Sequence, residues 1–337
     1  MRKQIFFTLL LVVSRVLFAW SQTNDFYDDA ETMMLPAINL EIAGEVANPG
    51  KVDLSSLPLR SVIVKETELL DKGDKFIGAY RYDGYSLYDI LNLTVLKKKN
   101  EAEFPPIIDL YVEIENAKGE KAVLSWGEIY YPIHRHEILV ATRVARIVPS
   151  KTKDLWPLPT ESRLIVASDL HTQRNISNPV KITVKSFEGS FTINKGMKPM
   201  YAKSFSLTSK KGLHSEVSSY PAGLNLLTFP AVFYGRGTGI HGTTPFTGIM
   251  LKELLDDYFP TSVENLQNGI FVLTGKDGYH AVFTFSEVMN RNDQAEVLVV
   301  KTPENEDGGA FKIFPSADFF SDRAIKSLES IQFRILD

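Results

Sequence analysis

The second half of this chain repeats the pattern of its first. Asn116-Ala117-Lys118-Gly119-Glu120-Lys121-Ala122-Val123-Leu124-Ser125-Trp126-Gly127-Glu128-Ile129 aligns without a gap on Gly275-Lys276-Asp277-Gly278-Tyr279-His280-Ala281-Val282-Phe283-Thr284-Phe285-Ser286-Glu287-Val288. Gly119 falls on Gly278, Ala122-Val123 on Ala281-Val282 and Glu128 on Glu287. Upstream of each copy sits a short helix-like phrase, Ser86-Leu87-Tyr88-Asp89-Ile90-Leu91 and Met250-Leu251-Lys252-Glu253-Leu254-Leu255. Self-similarity over this span fixes architecture before any residue-level reading, because each copy must build the same unit. The chain therefore reads as two related domains in tandem, residues 36–188 and 204–337. Residues 189–203, with Gly196 and Pro199, form a linker or a crossing segment.

Before the first copy, Arg2 and Lys3 precede apolar runs from Ile5 to Val13 and from Val16 to Trp20, and Ala19-Trp20-Ser21 offers small residues for cleavage. This is the pattern of a secretory signal peptide over residues 1–21. No later segment approaches the ~20 apolar residues of a membrane helix. The mature protein is expected to be exported to a periplasm or cell surface, with no membrane span after cleavage. Residues 22–35, carrying Asp25, Asp28, Asp29 and Glu31, read as a flexible acidic lead-in, with order starting near Pro36.

Losing Arg2, Lys3 and Arg15 with the leader takes the net charge from −4 to −7. That balance argues against a nucleic-acid partner, which requires clustered cationic surface. Lys97-Lys98-Lys99, the only cationic run, reads as a solvated loop. The chain contains no cysteine, so it has no disulfide, no thiol nucleophile and no thiolate metal ligand.

Strands dominate the pattern. Leu40 to Val46 alternates apolar and polar residues and enters a turn at Asn48-Pro49-Gly50. Leu110 to Ile114 and Ala122 to Leu124 flank Lys118-Gly119, and Ile270 to Thr274 and Ala281 to Thr284 flank Asp277-Gly278, which predicts one hairpin in each half. Helical periodicity is confined to Tyr85–Leu93 and Ile249–Tyr258. Many short strands, few helices and no βαβ alternation predict a mostly-β α+β class.

The order of these phrases resembles the molybdopterin-binding domain of the sulfite oxidase family. In the first half the resemblance rests on Asn48-Pro49-Gly50, Asp83-Gly84-Tyr85-Ser86-Leu87, the Gly119 hairpin, Ser125 to Ile129, Arg163-Leu164-Ile165-Val166 and Arg174. In the second it rests on Thr247-Gly248-Ile249-Met250-Leu251, Lys276-Asp277-Gly278-Tyr279, and Phe311-Lys312-Ile313-Phe314-Pro315 with Arg323. It implies two tandem domains of that family. Members with redox activity hold molybdenum through a cysteine thiolate, and no oxygen or nitrogen side chain reproduces that soft ligand. A molybdopterin could still be held, but the usual metal site cannot be built here, and fold similarity alone carries little functional weight.

One segment looks built for a ligand: Tyr234-Gly235-Arg236-Gly237-Thr238-Gly239-Ile240-His241-Gly242-Thr243. Its alternating glycines let backbone N–H groups approach a bound group, while Arg236, Thr238, His241 and Thr243 add a cation and hydrogen bonds, so an oxyanion could sit there. A mobile surface loop is the plainer alternative. His214, His241 and His280 could share a pocket with it, and Arg323 joins the candidate set. His134-Arg135-His136-Glu137 lacks the spacing of a metal motif and reads as structural or surface histidines. There is no Gly-x-Ser-x-Gly elbow, and the carboxylate pairs Asp256-Asp257 and Glu304 to Asp307 read as solvated faces. The sequence thus predicts an exported, non-catalytic protein binding a small anionic ligand or an envelope protein, with no cofactor. The alternative is a periplasmic molybdopterin- or metal-dependent oxidoreductase with an atypical cysteine-free site.

Overall fold

The computed structural model describes residues 31–149, 151–232, 234–235, 243–303 and 308–336. In the first half these form β1 (Met33–Met34), β2 (Glu41–Gly44), β3 (Gly50–Lys51), β4 (Arg60–Leu70), β5 (Gly73–Ser86), α1 (Leu87–Leu91), β6 (Leu110–Asn116), β7 (Lys121–Ser125), α2 (Trp126–Tyr130), β8 (Ile138–Arg146), β9 (Arg163–Val166) and β10 (Pro179–Ser186). The second half continues with β11 (Phe205–Ser209), β12 (Gly212–Val217), β13 (Leu227–Ala231), β14 (Thr244–Met250), α3 (Leu251–Leu255), α4 (Val263–Asn268), β15 (Gly269–Gly275), β16 (His280–Thr284), α5 (Phe285–Met289), β17 (Val297–Lys301), β18 (Phe311–Pro315) and β19 (Leu328–Ile335). The protein is mostly β, with 44% strand and 11% helix.

The duplication is visible in the pairing. One sheet of the first half runs β3-β2-β10-β6-β7 and one sheet of the second runs β12-β11-β19-β15-β16, position for position. In each, the entering strand lies parallel to the closing strand, β2 on β10 and β11 on β19, and every other neighbour is antiparallel. The remaining sheets correspond as well: β8 joins β5 and β9, with β4 outside β5, as β17 joins β14 and β18, with β13 outside β14. The two glycines before the first helix of each half have one shared purpose. A Cβ on Gly84 would overlap the Val140 carbonyl, and one on Gly248 would overlap the Val299 carbonyl, so in both copies the neighbouring strand runs too close for a side chain.

The hairpins expected from sequence are present, with Gly119 at φ +82° and Gly278 at φ +81°, a conformation glycine adopts without penalty. Each second hairpin strand ends in a hydroxyl residue that caps the next helix. Ser125 accepts the Glu128 amide and Thr284 the Glu287 amide, and each glutamate side chain reaches back to its cap residue's amide.

Two tandem sulfite oxidase-like domains were expected, but the four sheets form a four-bladed, propeller-like arrangement around shared apolar contacts. The largest buried cluster runs from Leu40 and Val112 in the first half to Phe271 and Phe333 in the second. A second cluster joins Tyr111 and Val123 to Ile270, Val272 and Val282. Fully burying a valine or isoleucine is worth about 1.5–3 kcal/mol, so this cluster alone ties the halves firmly. Residues 189–203 pack on the second half: the Asn194 amide donates to the Asp277 carbonyl, and the Ala202 amide to Ser327 Oγ. At the N-terminus, pairing begins earlier than Pro36, since Met33 and Met34 pair with β8 and Leu35 is buried. The lysine run departs from a solvated loop at its centre, where Lys98 Nζ is buried against Asp109 at 2.8 Å and donates to the Phe104 and Pro106 carbonyls. The proposed signal peptide and the Glu304 to Asp307 run lie outside the described residues.

Candidate functional site

Arg236, Thr238 and His241 lie outside the described residues. Tyr234 and Thr243 flank that segment. Tyr234 is 51% exposed, its amide donates to the Phe319 carbonyl at 2.8 Å, and its ring stacks on Phe319. Thr243 is exposed and leads into β14. The two described histidines of the candidate set do not converge. His214 sits on β12 and His280 on β16, the opposite edges of one five-stranded sheet, and four strand spacings amount to about 19 Å.

Each histidine has its own environment. His214 Nε2 meets Ser209 Oγ at 2.7 Å, and its ring stands edge-on to Phe259 in a shallow cleft of about 460 Å³ that includes Lys210, Lys211 and Arg334. His280 is 1% exposed and sandwiched between Phe191 at 3.8 Å and Phe104 at 4.0 Å. Its Nδ1 donates to the Gly278 carbonyl at 2.8 Å, which leaves Nε2 as a buried acceptor with no partner among the described residues. Burial holds its pKa below the usual histidine value, against the opposing pull of the Gly278 carbonyl and Asp109.

Arg323, proposed from sequence as a ligand contact, is instead committed inside the protein. It is 1% exposed, grips Asp318 with Nε at 2.9 Å and Nη2 at 2.7 Å, and reaches Glu287 with Nη1 at 2.6 Å. Arg174 repeats this in the first half: it is fully buried, holds Asp169 at 2.8 and 2.6 Å, and reaches Glu128 at 3.0 Å. The two centres are cross-wired, because Ser125 Oγ donates to Glu287 at 2.7 Å and Thr284 Oγ1 donates to Glu128 at 3.0 Å. Burial raises the pKa of Glu128, of Asp169 and of Asp318, the last to about 6, outweighing the attraction of the guanidinium beside each. The sequence carries a signal for these centres that the residue-by-residue reading missed. Asp-x-x-x-x-Arg-x-Ile occurs at Asp169 to Ile176 and again at Asp318 to Ile325, and each half has a Ser/Thr-x-x-Glu cap.

An open cleft of about 720 Å³ lies elsewhere, between β4 and the segment His134-Arg135-His136-Glu137. Arg60 forms one wall and Arg135 the other, with Ser61, Ile63 and Ile133 between. Arg135 is exposed, braced by the Tyr88 hydroxyl at 3.0 Å and by the face of that ring at 5.1 Å. His136 holds φ 70°, an uncommon conformation for a non-glycine residue. Ser86 Oγ accepts the Asp89 amide and lies 2.9 Å from His136 Nδ1. Burial, then Arg60 and Arg135, holds the His136 pKa below its ordinary value despite Asp89 nearby. Asp89 is paired with Arg60 at 3.2 Å, and burial followed by Asp293 pushes the Glu137 pKa up. The cleft thus holds two arginines, Arg60 paired with Asp89 and Arg135 exposed, with Glu137 in the same lining. Among the described residues no group of three or more His, Asp or Glu side chains is placed to hold a metal ion, and no helix is long and apolar enough to cross a membrane.

Fold and site together define a duplicated, mostly-β scaffold with a buried charge network at its centre and an open cleft carrying two arginines on one flank. Against protein-family models and against curated proteins, the chain matches none of either.

Proposed function

We propose that this chain is an exported, non-catalytic binding protein that uses a duplicated scaffold of the sulfite oxidase molybdopterin-binding type to hold an anionic ligand or partner. One observation carries this reading. The cleft beside β4 presents exposed His134 and Arg135 beside half-buried Arg60, His136 and Glu137, and Arg135 has no carboxylate paired with it among the described residues, whereas the arginines and carboxylates of the centre are matched to one another. A guanidinium presents a planar fork of donors suited to carboxylate or phosphate oxygens. The order of phrases in each half supports the scaffold assignment, and the repeated strand pairing agrees with a duplication. Molybdenum held in the manner of that family does not fit, because the chain has no cysteine.

The test is a titration of the full chain with citrate and with inorganic phosphate, followed by amide and guanidinium NMR shifts. Shifts confined to residues 60–63 and 133–137, and lost in the Arg60→Ala/Arg135→Ala double variant, are expected. Unchanged spectra would sink the anion reading. Stoichiometric molybdenum in protein purified from its own host would replace it with an oxidoreductase.

A further inference from the structure

We propose that the outer edge of β4 is a strand-docking site, and that the occupant of the cleft is an extended acidic segment of a partner protein added to the sheet beside Ser61, Ile63 and Lys65, where Lys65 and Arg135 are exposed. This rests on the anion-binding reading above and specifies its partner.

The backbone phase of β4 sets which groups are free. Among the described residues β4 lies at the end of its sheet, paired on one side only, with β5. Val64 faces Tyr80 and Lys65 faces Ala79 in that ladder. The Ala79 carbonyl is turned the other way, accepting the Ile147 amide at 2.9 Å beyond the far side of β5. Narrow and wide pairs alternate in an antiparallel ladder, so Val62 and Val64 bond to β5 while Ser61, Ile63 and Lys65 direct N–H and C=O outward. Thr67, two residues on, confirms the phase. Its amide donates outward to Thr172 Oγ1 at 3.2 Å, and its carbonyl accepts the Thr172 amide at 2.8 Å.

The protein's own chain therefore starts the next lane of the sheet and then leaves it. Thr172 and Gln173 cover Thr67 and Leu69, whereas the lane beside Arg60–Ile63 is the floor of the open cleft. Unpaired edges are a template for another strand, and proteins guard them with charge, lysine above all. Lys65 is such a guard, and an acidic strand is the kind it does not repel. Side chains of an added strand alternate between faces. One set would meet Ile63, 64% exposed, and Ile133, 48% exposed; acidic ends would meet Arg60 and Arg135. Main-chain pairing supplies the affinity in this mode, and the flanking side chains supply the choice of sequence.

The probe is a fluorescein-labelled peptide of alternating glutamate and valine, seven residues long, measured by anisotropy against the full chain, with a lysine-valine peptide as control. The acidic peptide is expected to bind and the basic one not to. Ile63→Pro removes one outward N–H and leaves the β5 ladder intact, since proline is tolerated where an edge N–H faces solvent. It should weaken the peptide by about tenfold or more, and Ile63→Thr, which keeps the N–H, should cost less than about threefold. Should Ile63→Pro unfold, the wild-type chain is tested with a peptide N-methylated at alternate residues, which is expected to lose binding. Peptide affinity that survives both changes overturns strand addition and leaves the anion reading standing. A cleft that binds citrate but no acidic peptide overturns it equally. Loss of citrate and peptide binding together, in the wild type, overturns both. A concentration-dependent dimer that Ile63→Pro abolishes would assign the edge to a second copy of this chain and overturn the partner proposal.

Discussion

Ser125 Oγ lies 2.7 Å from Glu287 Oε2, joining residues 162 positions apart in the chain. The same hydroxyl accepts the Glu128 amide at 2.9 Å, so one side chain caps a helix of its own half and steadies the capping glutamate of the other. Thr284 does the reciprocal work, donating to Glu128 and accepting the Glu287 amide. Ser125→Ala loses an N-cap, worth about 1 kcal/mol, and a buried hydrogen bond to a charged group, worth about 1.5–3 kcal/mol. The expected loss is about 2.5–4 kcal/mol in urea unfolding, with a single transition, since one network spans both halves. Ser125→Thr, which installs the residue found at the equivalent position, should stay within about 1 kcal/mol of wild type. Two resolved transitions in Ser125→Ala would contradict the cross-wiring.

Arg174 and Arg323 are the cations of this network, and neither reaches solvent. Replacing one by methionine strands two carboxylates in the interior, a change that costs about 3–5 kcal/mol. Removing a stranded charge in the same molecule should return part of that loss. Arg174→Met/Asp169→Asn is therefore expected to be more stable than Arg174→Met alone, by thermal unfolding at pH 7. A double variant less stable than the single one would show that Asp169 is held by something other than Arg174.

Much of the fold was legible because it is carried by local signals repeated twice. The Gly119 and Gly278 turns, the short helices after Ser86 and Met250, and the closing strands all follow from patterns within a dozen residues. What was not legible is long-range. Nothing near Lys98 announces that Asp109 and two carbonyls will bury it, because a lysine run has the same composition whether solvated or captured. The grouping of His214 with His280 failed for a related reason: strand order, which sequence spacing does not encode, put them on opposite edges. The His134 to Glu137 segment was read as structural or surface histidines. Its cleft exists only because β4 ends a sheet beside it.

The Asp318 carboxyl makes stability depend on pH in a direction opposite to ordinary acid denaturation. Its pKa is raised by burial from 3.8 to about 6 in the folded protein, so between those values the folded state binds the proton more tightly than the unfolded chain. Its contribution is fully present below about pH 4 and is lost as pH rises through 6. Asp318→Asn mimics the protonated form, so the fall in stability between pH 4 and pH 7 should shrink by roughly 2 kcal/mol. Chemical denaturation at closely spaced pH values measures this directly. An unchanged profile would mean that Arg323 keeps the carboxylate ionised throughout.

His280 works against that slope. Its folded pKa is lowered, first by burial and with Lys98 acting in the same sense, while the unfolded imidazole takes up a proton below about 6.5. The unfolded chain thus binds more protons as pH falls, and the fold loses stability from about pH 6.5 downward. Phenylalanine at this position keeps the stack between Phe104 and Phe191, discards the unpartnered Nε2 and gives up the bond to the Gly278 carbonyl. At pH 7 the last two changes oppose each other, each on the order of 1 kcal/mol, and the net effect should be small. At pH 5 only the wild type carries the protonation penalty, so His280→Phe should be the more stable protein. Equal stability of the two proteins at pH 5, measured with the Asp318→Asn background to remove the opposing titration, would show that the buried imidazole accepts its proton without leaving the aromatic sandwich.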